Sequence, residues 1–405
     1  MNRRPKRLLL LFSDTGGGHR SPACAVAQAL QDLYDGQVRI ELVDALADYA
    51  PWPFNRLSSI YPYMLRLKGW PWAAGYHLSD GPHRVTLLTS GCWPWVRPAL
   101  FRLIHDHPAD AIVCFHPIFN HLILRTLTKI KAKTPLITQV VDLATAHAFW
   151  FVPEATRCLV PTGESRQRAL ARGLPAERVL TTGLPVHPRF VTTAQQDTRA
   201  VRRRLELEPD LPAVLLVGGA EGMGPLRHIS KAVADSGVQA QLVVIAGRNE
   251  RLRSRLLAEA WPLPVRVEGL VHNMHEWMQA ADLLVTKAGP STVSEALVMG
   301  LPMVLSGALP GQERPTVDYV VQAGAGIWAP RPGQVASAVR ELLTPGTLRL
   351  SQMAARARSL ARPDAAWRVA EIVWNAACDQ GAGDYETRFS RNFRQSPAPA
   401  RVPRQ

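Results

Sequence analysis

The sequence predicts an α/β protein made of two Rossmann-like, doubly wound domains that face each other across a cleft. Three observations point there. Aliphatic strand-like runs alternate with helix-length amphipathic stretches through both halves of the 405 residues. Glycine- or histidine-bearing turns follow several of those strands, and open parallel sheets collect ligands beyond their strands' carboxyl ends. A charged, polar stretch, Val191–Pro212, separates the halves as a linker with one short helix.

Taken in order, Arg7–Phe12 reads as a strand, Ser21–Leu33 as a helix and Val38–Val43 as an alternating strand. Short strands are expected at Ala111–Phe115, Leu136–Val141, Cys158–Val160 and Val179–Thr181, with helices near 121–131 and 164–172. The second half has strands at 213–217, 241–246, 265–268, 283–286 and 303–306. Helices at 226–235, 249–260, 274–281 and 292–299 separate them. Ala365–Ala377 is a closing helix, and Gly381–Gln405 has the Gly/Pro/Arg/Ser composition of a disordered tail. The expected division is an N-terminal domain over 1–190, a linker over 191–212, a C-terminal domain over 213–380 and a tail over 381–405.

Composition narrows the function classes. Apolar residues make up 47% and charged residues 20%, as in soluble globular chains. No run of eighteen apolar residues occurs, which argues against a spanning helix. Five scattered cysteines without C-x-x-C spacing argue against a disulfide framework or structural zinc and suit a reducing, cytoplasmic setting. Lys and Arg total 47 against 33 Asp and Glu, a net charge of +14, so an anionic partner is expected. Half of that excess lies in residues 1–7 and 381–405, and no nucleic-acid module is recognisable, so nucleic acid is not an expected partner.

Residues 49–104 break the alternation. They hold five of the eleven Trp, six Arg or Lys, and a single acid, Asp80. Amphipathic aromatics beside cations suit the headgroup level of an anionic bilayer. An irregular insertion using aromatics as core filler is the plainer alternative.

Four clusters follow expected strands. Ser13–His19 reads S-D-T-G-G-G-H: its glycines allow close backbone approach, and His19 sits at the positive end of a helix, where a neutral, proton-accepting imidazole is favoured. A histidine packed into the first helical turn is the alternative. Asp142 follows the strand ending at Val141, with His147 and Trp150 beyond it; it suits orienting His19, touching an acceptor hydroxyl, or capping a turn. His116 and His121 read as core or surface histidines. Gly218–Pro225 (G-G-A-E-G-M-G-P) is a diphosphate cradle without the Gly-Lys-Ser/Thr of a P-loop. Thr286–Glu295 offers Lys287 and a helix start to phosphate, although Thr292 and Glu295 also have capping-box spacing. Gly311, Gln312 and Glu313 then offer an amide and a carboxylate for sugar hydroxyls. No metal-ligand spacing appears.

The runs S-D-T-G-G-G-H, G-G-x-E-G-M-G-P, T-K-A-G-P-S-T-V-S-E-A and G-Q-E, in that order from Leu9 to about Ala329, resemble the monogalactosyldiacylglycerol synthases and related bacterial diacylglycerol glycosyltransferases. A more distant likeness is to the lipid II-forming N-acetylglucosaminyltransferase. The resemblance implies a GT-B fold, with a membrane-facing acceptor domain first and a UDP-sugar domain second. It implies His19 as general base beside Gly17 and Gly18. Gly219 and Gly222 would lie on the donor's phosphate side, and Glu295 on its ribose; Lys287, with Ser291 and Thr292 at the helix start, is a donor-binding candidate on the residues themselves. Val271 would read uracil through its backbone, and Gln312 and Glu313 would hold the sugar. His187 stands where the family often has arginine, which would exchange a permanent charge near the diphosphate for a titratable one.

The expectation is therefore an inverting glycosyltransferase that moves a hexose from a UDP-sugar to a diacylglycerol-type hydroxyl. Asp142 is a second catalytic candidate. No cofactor or metal is implied beyond the donor, and the site of action is the cytoplasmic face of a membrane, held peripherally. A UDP-sugar 2-epimerase and a non-catalytic nucleotide-sugar-binding protein are the alternatives.

Overall fold

The computed structural model describes residues 4–14, 17–52, 54–56 and 70–378, with the side chains of 70–73 left aside. Expectations for the tail 381–405 and for residues 57–69 fall outside this range. The first sheet comprises β1 (Lys6–Phe12), β2 (Val38–Asp44), β3 (Ala111–Cys114), β4 (Leu136–Gln139), β5 (Arg157–Val160) and β6 (Val179–Thr181). Its strands lie in the order β2-β1-β3-β4-β5-β6, all parallel. The second sheet comprises β7 (Ala213–Val217), β8 (Gln241–Ile245), β9 (Val265–Glu268), β10 (Leu283–Lys287), β11 (Met303–Gly307) and β12 (Gly326–Trp328). Its order is β12-β11-β10-β7-β8-β9, again all parallel. Both are doubly wound: β1 and β7 sit inside their sheets, and the direction of winding reverses beside them, which opens a crevice at the strands' carboxyl ends.

The central strands read as continuous apolar runs because helices cover both faces. Leu8–Leu11 and Ala213–Leu216 are buried throughout. Helix Arg20–Tyr34 buries Ala23, Val26, Ala29 and Leu30, a helical spacing of small and branched residues that packs closely onto the sheet. The short strand β12 and the helices Arg314–Gln322, Pro332–Leu342 and Arg349–Leu360 complete the second domain beyond the elements read from sequence.

The final helix, Ala365–Ala377, was expected to close the second domain. It instead lies against helix Arg20–Tyr34 of the first, where Trp374 stacks on Tyr34 with ring centroids 4.4 Å apart. The chain thus crosses the cleft twice, once through the linker and once through this helix.

Residues 49–104 are not irregular where described: helices Trp70–Ser79 and Pro82–Asp106 account for most of them. The aromatics divide between the two readings of the sequence. Trp93 is buried, with the Arg125 guanidinium 4.6 Å from its ring centre, whereas Trp52 is 72% and Trp95 55% exposed. Leu78, Leu87 and Leu88 are exposed as well. Asp80, the segment's one acid, is a fastener: its carboxylate accepts from Arg168 at 2.7 Å and from the Ala148 backbone N–H at 2.9 Å. It ties this segment to the loop that carries Asp142 and Trp150. No helix among the described residues is long and apolar enough to cross a membrane.

Candidate active site

The two domains meet at the carboxyl ends of their central strands. Gly17, with φ +80°, has its α-carbon where an added Cβ would lie 3.7 Å from the Ala220 methyl of the other domain. The glycine turns after β1 and β7 therefore face each other. Ser291 Oγ–H donates to the Gly18 carbonyl at 3.0 Å, and Ser21 Oγ–H donates to Glu295 at 3.1 Å. A third bridge runs from Gln312 Nε2–H to Asp142 Oδ1 at 3.0 Å.

His19 precedes helix Arg20–Tyr34, and its Nδ1–H donates to the Phe115 carbonyl at 2.7 Å. A carbonyl can only accept, so the proton sits on Nδ1 and leaves Nε2 as a lone-pair acceptor. Burial pushes its pKa down to about 4, against the opposing pull of the Phe115 bond and the Asp44 carboxylate. Neutrality thus comes chiefly from burial, where the helix start had been expected to supply it. The His116 ring lies 4.5 Å away, with its Nδ1 buried and unpartnered, and burial holds that imidazole far below its usual range. His116 is therefore a core histidine, but one in contact with the candidate base.

Asp142 does not orient His19; the Phe115 backbone does that. Nor does it cap a turn. Its Oδ2 accepts from the Trp150 indole N–H at 2.7 Å, its Oδ1 from Gln312, and it is 4% exposed. Burial raises its pKa, while the Gln312 and Trp150 bonds pull it down. Trp150 in turn stands 6.2 Å from the His19 ring, centre to centre.

A cavity of about 270 Å³ opens at the ends of β7, β10 and β11, lined in part by Met223, Gly224, Pro225, Lys287, Leu309 and Glu313. Lys287 follows a register slip at the end of β10, and its ammonium meets Glu313 Oε1 at 2.6 Å. The second Glu313 oxygen accepts from the Leu309 backbone N–H at 2.8 Å. Glu313 thereby positions Lys287 and the strand β11 turn, while the neighbouring Gln312 reaches the other domain. Gly219 (φ +74°) passes 3.6 Å from the Lys287 stem, measured from its would-be Cβ. Gly222 serves a structural purpose: at φ +57° a Cβ would lie 2.0 Å from the Ala246 carbonyl oxygen, so only glycine lets this loop pack on the next one.

The capping-box reading of Thr292 and Glu295 is corrected. Helix Pro290–Met299 starts at Gly289, with no side-chain cap, which places Thr292 third and Glu295 sixth in the helix. Glu295 instead turns toward the first domain, where enclosure raises its pKa to about 7 despite the Ser21 bond. His187 lies outside the cavity lining; its Nδ1 accepts from the Arg189 backbone N–H at 3.2 Å and caps helix Pro188–Thr193. Val271 lies beyond β9 and packs on the core at the far edge of the sheet from β12. Among the described residues no group of three or more His, Cys, Asp or Glu is arranged to hold a metal ion. Ser21 and the Phe115 carbonyl had no signal in the sequence, since one is an ordinary helix serine and the other a backbone atom.

Two family models together cover most of the chain. The model for monogalactosyldiacylglycerol (MGDG) synthase matches residues 19–186, and that for the glycosyltransferase family 28 C-terminal domain matches 213–367. A Glycine max protein named probable monogalactosyldiacylglycerol synthase, chloroplastic, is 37% identical over 378 residues, 90% of this chain and 70% of its own. This chain belongs to the monogalactosyldiacylglycerol synthase family. Its fold is the GT-B fold: Acinetobacter baumannii MurG superposes with a TM-score of 0.59 at 17% identity, over 92% of this chain and 100% of MurG. The UDP-GlcNAc 2-epimerase of Neisseria meningitidis shares the fold too, at a TM-score of 0.57 and 13% identity over 92% of this chain and 100% of its own. Fold alone therefore does not separate transferase from epimerase; family membership does.

Proposed function

We propose that this chain is an inverting hexosyltransferase that moves galactose from UDP-galactose to the free hydroxyl of diacylglycerol. The observation that carries the reading is the His19 Nε2, left unprotonated by the Phe115 bond at the cleft where the two glycine turns meet. As the lipid oxygen attacks the sugar's anomeric carbon, its proton passes to Nε2. The new C–O bond forms as the bond to the diphosphate breaks, and the electron pair leaves on the β-phosphate oxygen of UDP. One displacement inverts the centre, so an α-linked donor gives a β-galactolipid.

Lys287, held ready by Glu313, balances the developing diphosphate charge, and backbone N–H groups of the Gly218–Pro225 turn add to it. This chemistry uses no cofactor beyond the donor. Glu295, already an acceptor for Ser21, suits the ribose hydroxyls once the donor displaces that serine. The exposed Trp52, Leu78, Leu87 and Trp95, with the segment's cations, suit peripheral attachment to an anionic bilayer, at its cytoplasmic face given five scattered cysteines without C-x-x-C spacing.

Incubation with several UDP-sugars and a total-lipid extract, followed by mass spectrometry, tests the reading. A hexosyl-diacylglycerol formed from UDP-galactose is expected. Conversion of the UDP-sugar with no lipid product, as an epimerase would give, overturns it.

A further inference from the structure

We infer that Asp142 is a positioning residue that fixes which face of the Gln312 amide the donor sugar meets, and so sets the hydroxyl pattern the enzyme accepts. The inference rests on the hexosyl-transfer reading of the cleft. Asp142 leaves the end of β4 with both oxygens in use: Oδ2 takes the Trp150 indole N–H at 2.7 Å and Oδ1 takes Gln312 Nε2–H at 3.0 Å. An indole only donates, and a carboxylate accepts at both ends. The amide of Gln312 is therefore held by its nitrogen, and its Oε1 and one remaining N–H are left for the cleft.

Among the described residues, the Asp142 bond is the one hydrogen bond of the Gln312 side chain. Nothing on the donor side of the cleft sets the amide's orientation. Gln312 adjoins Glu313, which holds Lys287 at the donor cavity, and Asp142 adjoins Trp150, which stands beside His19. A hexose whose anomeric carbon lies between the Lys287 ammonium and His19 must pass this bridge. It then meets a carbonyl that accepts from a sugar hydroxyl, because Asp142 has claimed the amide's nitrogen.

The Asp142→Asn substitution isolates this effect, since it keeps shape and hydrogen-bond count. The indole N–H claims the asparagine's oxygen, so the asparagine's amide hydrogens face Gln312. Gln312 must then turn its Oε1 toward them and offer N–H groups to the sugar. The readout is calorimetric affinity for UDP, UDP-galactose and UDP-galactoses monofluorinated at C2, C3, C4 or C6, with melting temperature followed in parallel. Fluorine cannot donate a hydrogen bond.

In the unaltered enzyme, fluorine at one position should weaken binding by roughly tenfold, one hydrogen bond's worth. In D142N that penalty should shrink to about threefold or less, with UDP affinity unchanged. Gln312→Ala should erase the same position's penalty, which keeps the test intact if D142N does not fold. Fluorine penalties identical in the unaltered and substituted enzymes overturn the inference, as does a D142N loss expressed equally toward UDP. If galactose adds nothing to the affinity of UDP for the unaltered enzyme, the donor reading itself fails, and this inference with it.

Discussion

Replacing His19 by asparagine removes the proposed base and little else. The asparagine Nδ2 occupies nearly the place of the imidazole Nδ1 and can still donate to the Phe115 carbonyl, a bond of 2.7 Å in the structure. What disappears is Nε2. Positioned base catalysis is worth about 10²–10⁴-fold and is most effective when the base's pKa lies near the working pH. His19 titrates at about 4, so at neutral pH it is fully available but weakly basic. The loss is therefore expected at the low end, about 10²-fold in kcat, or about 2.7 kcal/mol of barrier. UDP affinity should stay within about twofold, because the donor cavity is lined by the other domain. Stopped assays of galactolipid formation, calorimetry with UDP and a melting curve on one preparation measure all three. A folded His19→Asn enzyme with near-normal turnover refutes the assignment, and so does a fall in turnover that merely tracks the unfolded fraction.

Glu295, with its pKa raised to about 7, is protonated in the ligand-free fold through a range where the unfolded chain has already ionised. Stability should therefore fall as pH rises from about 4.5 through about 7, and Glu295→Gln should flatten that slope in pH-resolved melting. UDP affinity should rise with pH over the upper part of that window in the unaltered enzyme and not in Glu295→Gln, as read by calorimetry. Gly222→Ala, which drives a methyl into the Ala246 carbonyl, should abolish UDP binding and lower the melting temperature. Gly224→Ala, at φ +89° with open space around it, should cost about 1–2 kcal/mol and leave binding measurable. Trp93→Ala should destabilise by about 3–5 kcal/mol as a buried aromatic is lost. Trp52→Ala with Trp95→Ala should leave melting unchanged and reduce sedimentation with anionic vesicles.

Much of the fold was legible because parallel strands buried on both faces announce themselves as short aliphatic runs. β6, β7 and β9 fall on the expected residues, and the other eight expected strands shift by a residue or two at their ends. β12 escaped because Gly326–Trp328 is three residues long and has no aliphatic run beyond Ile327. The placement of Ala365–Ala377 escaped because an amphipathic pattern says that a face is buried, not which domain buries it. The candidate site divides in the same way. Glycine turns and His19 were visible, since their chemistry is local to the chain. The bonds that define the site are Phe115 to His19, Gln312 to Asp142 and Ser21 to Glu295. They join residues separated by about a hundred positions or more, and no spacing rule reaches that far. The Thr292–Glu295 pair shows the converse, in which local pattern suggests a role that the folded context reassigns.

The central claim is a single displacement at the cleft, with the lipid oxygen attacking directly. Proton NMR of the purified product from UDP-α-galactose and diacylglycerol tests it most directly, through the coupling between the sugar's first two ring protons. The account predicts the large coupling of a β-galactoside, formed by the unaltered enzyme and lost in rate by about 10²-fold with His19→Asn. An α-galactoside would contradict it, because retention requires a mechanism for which His19 and its Phe115 partner are not arranged.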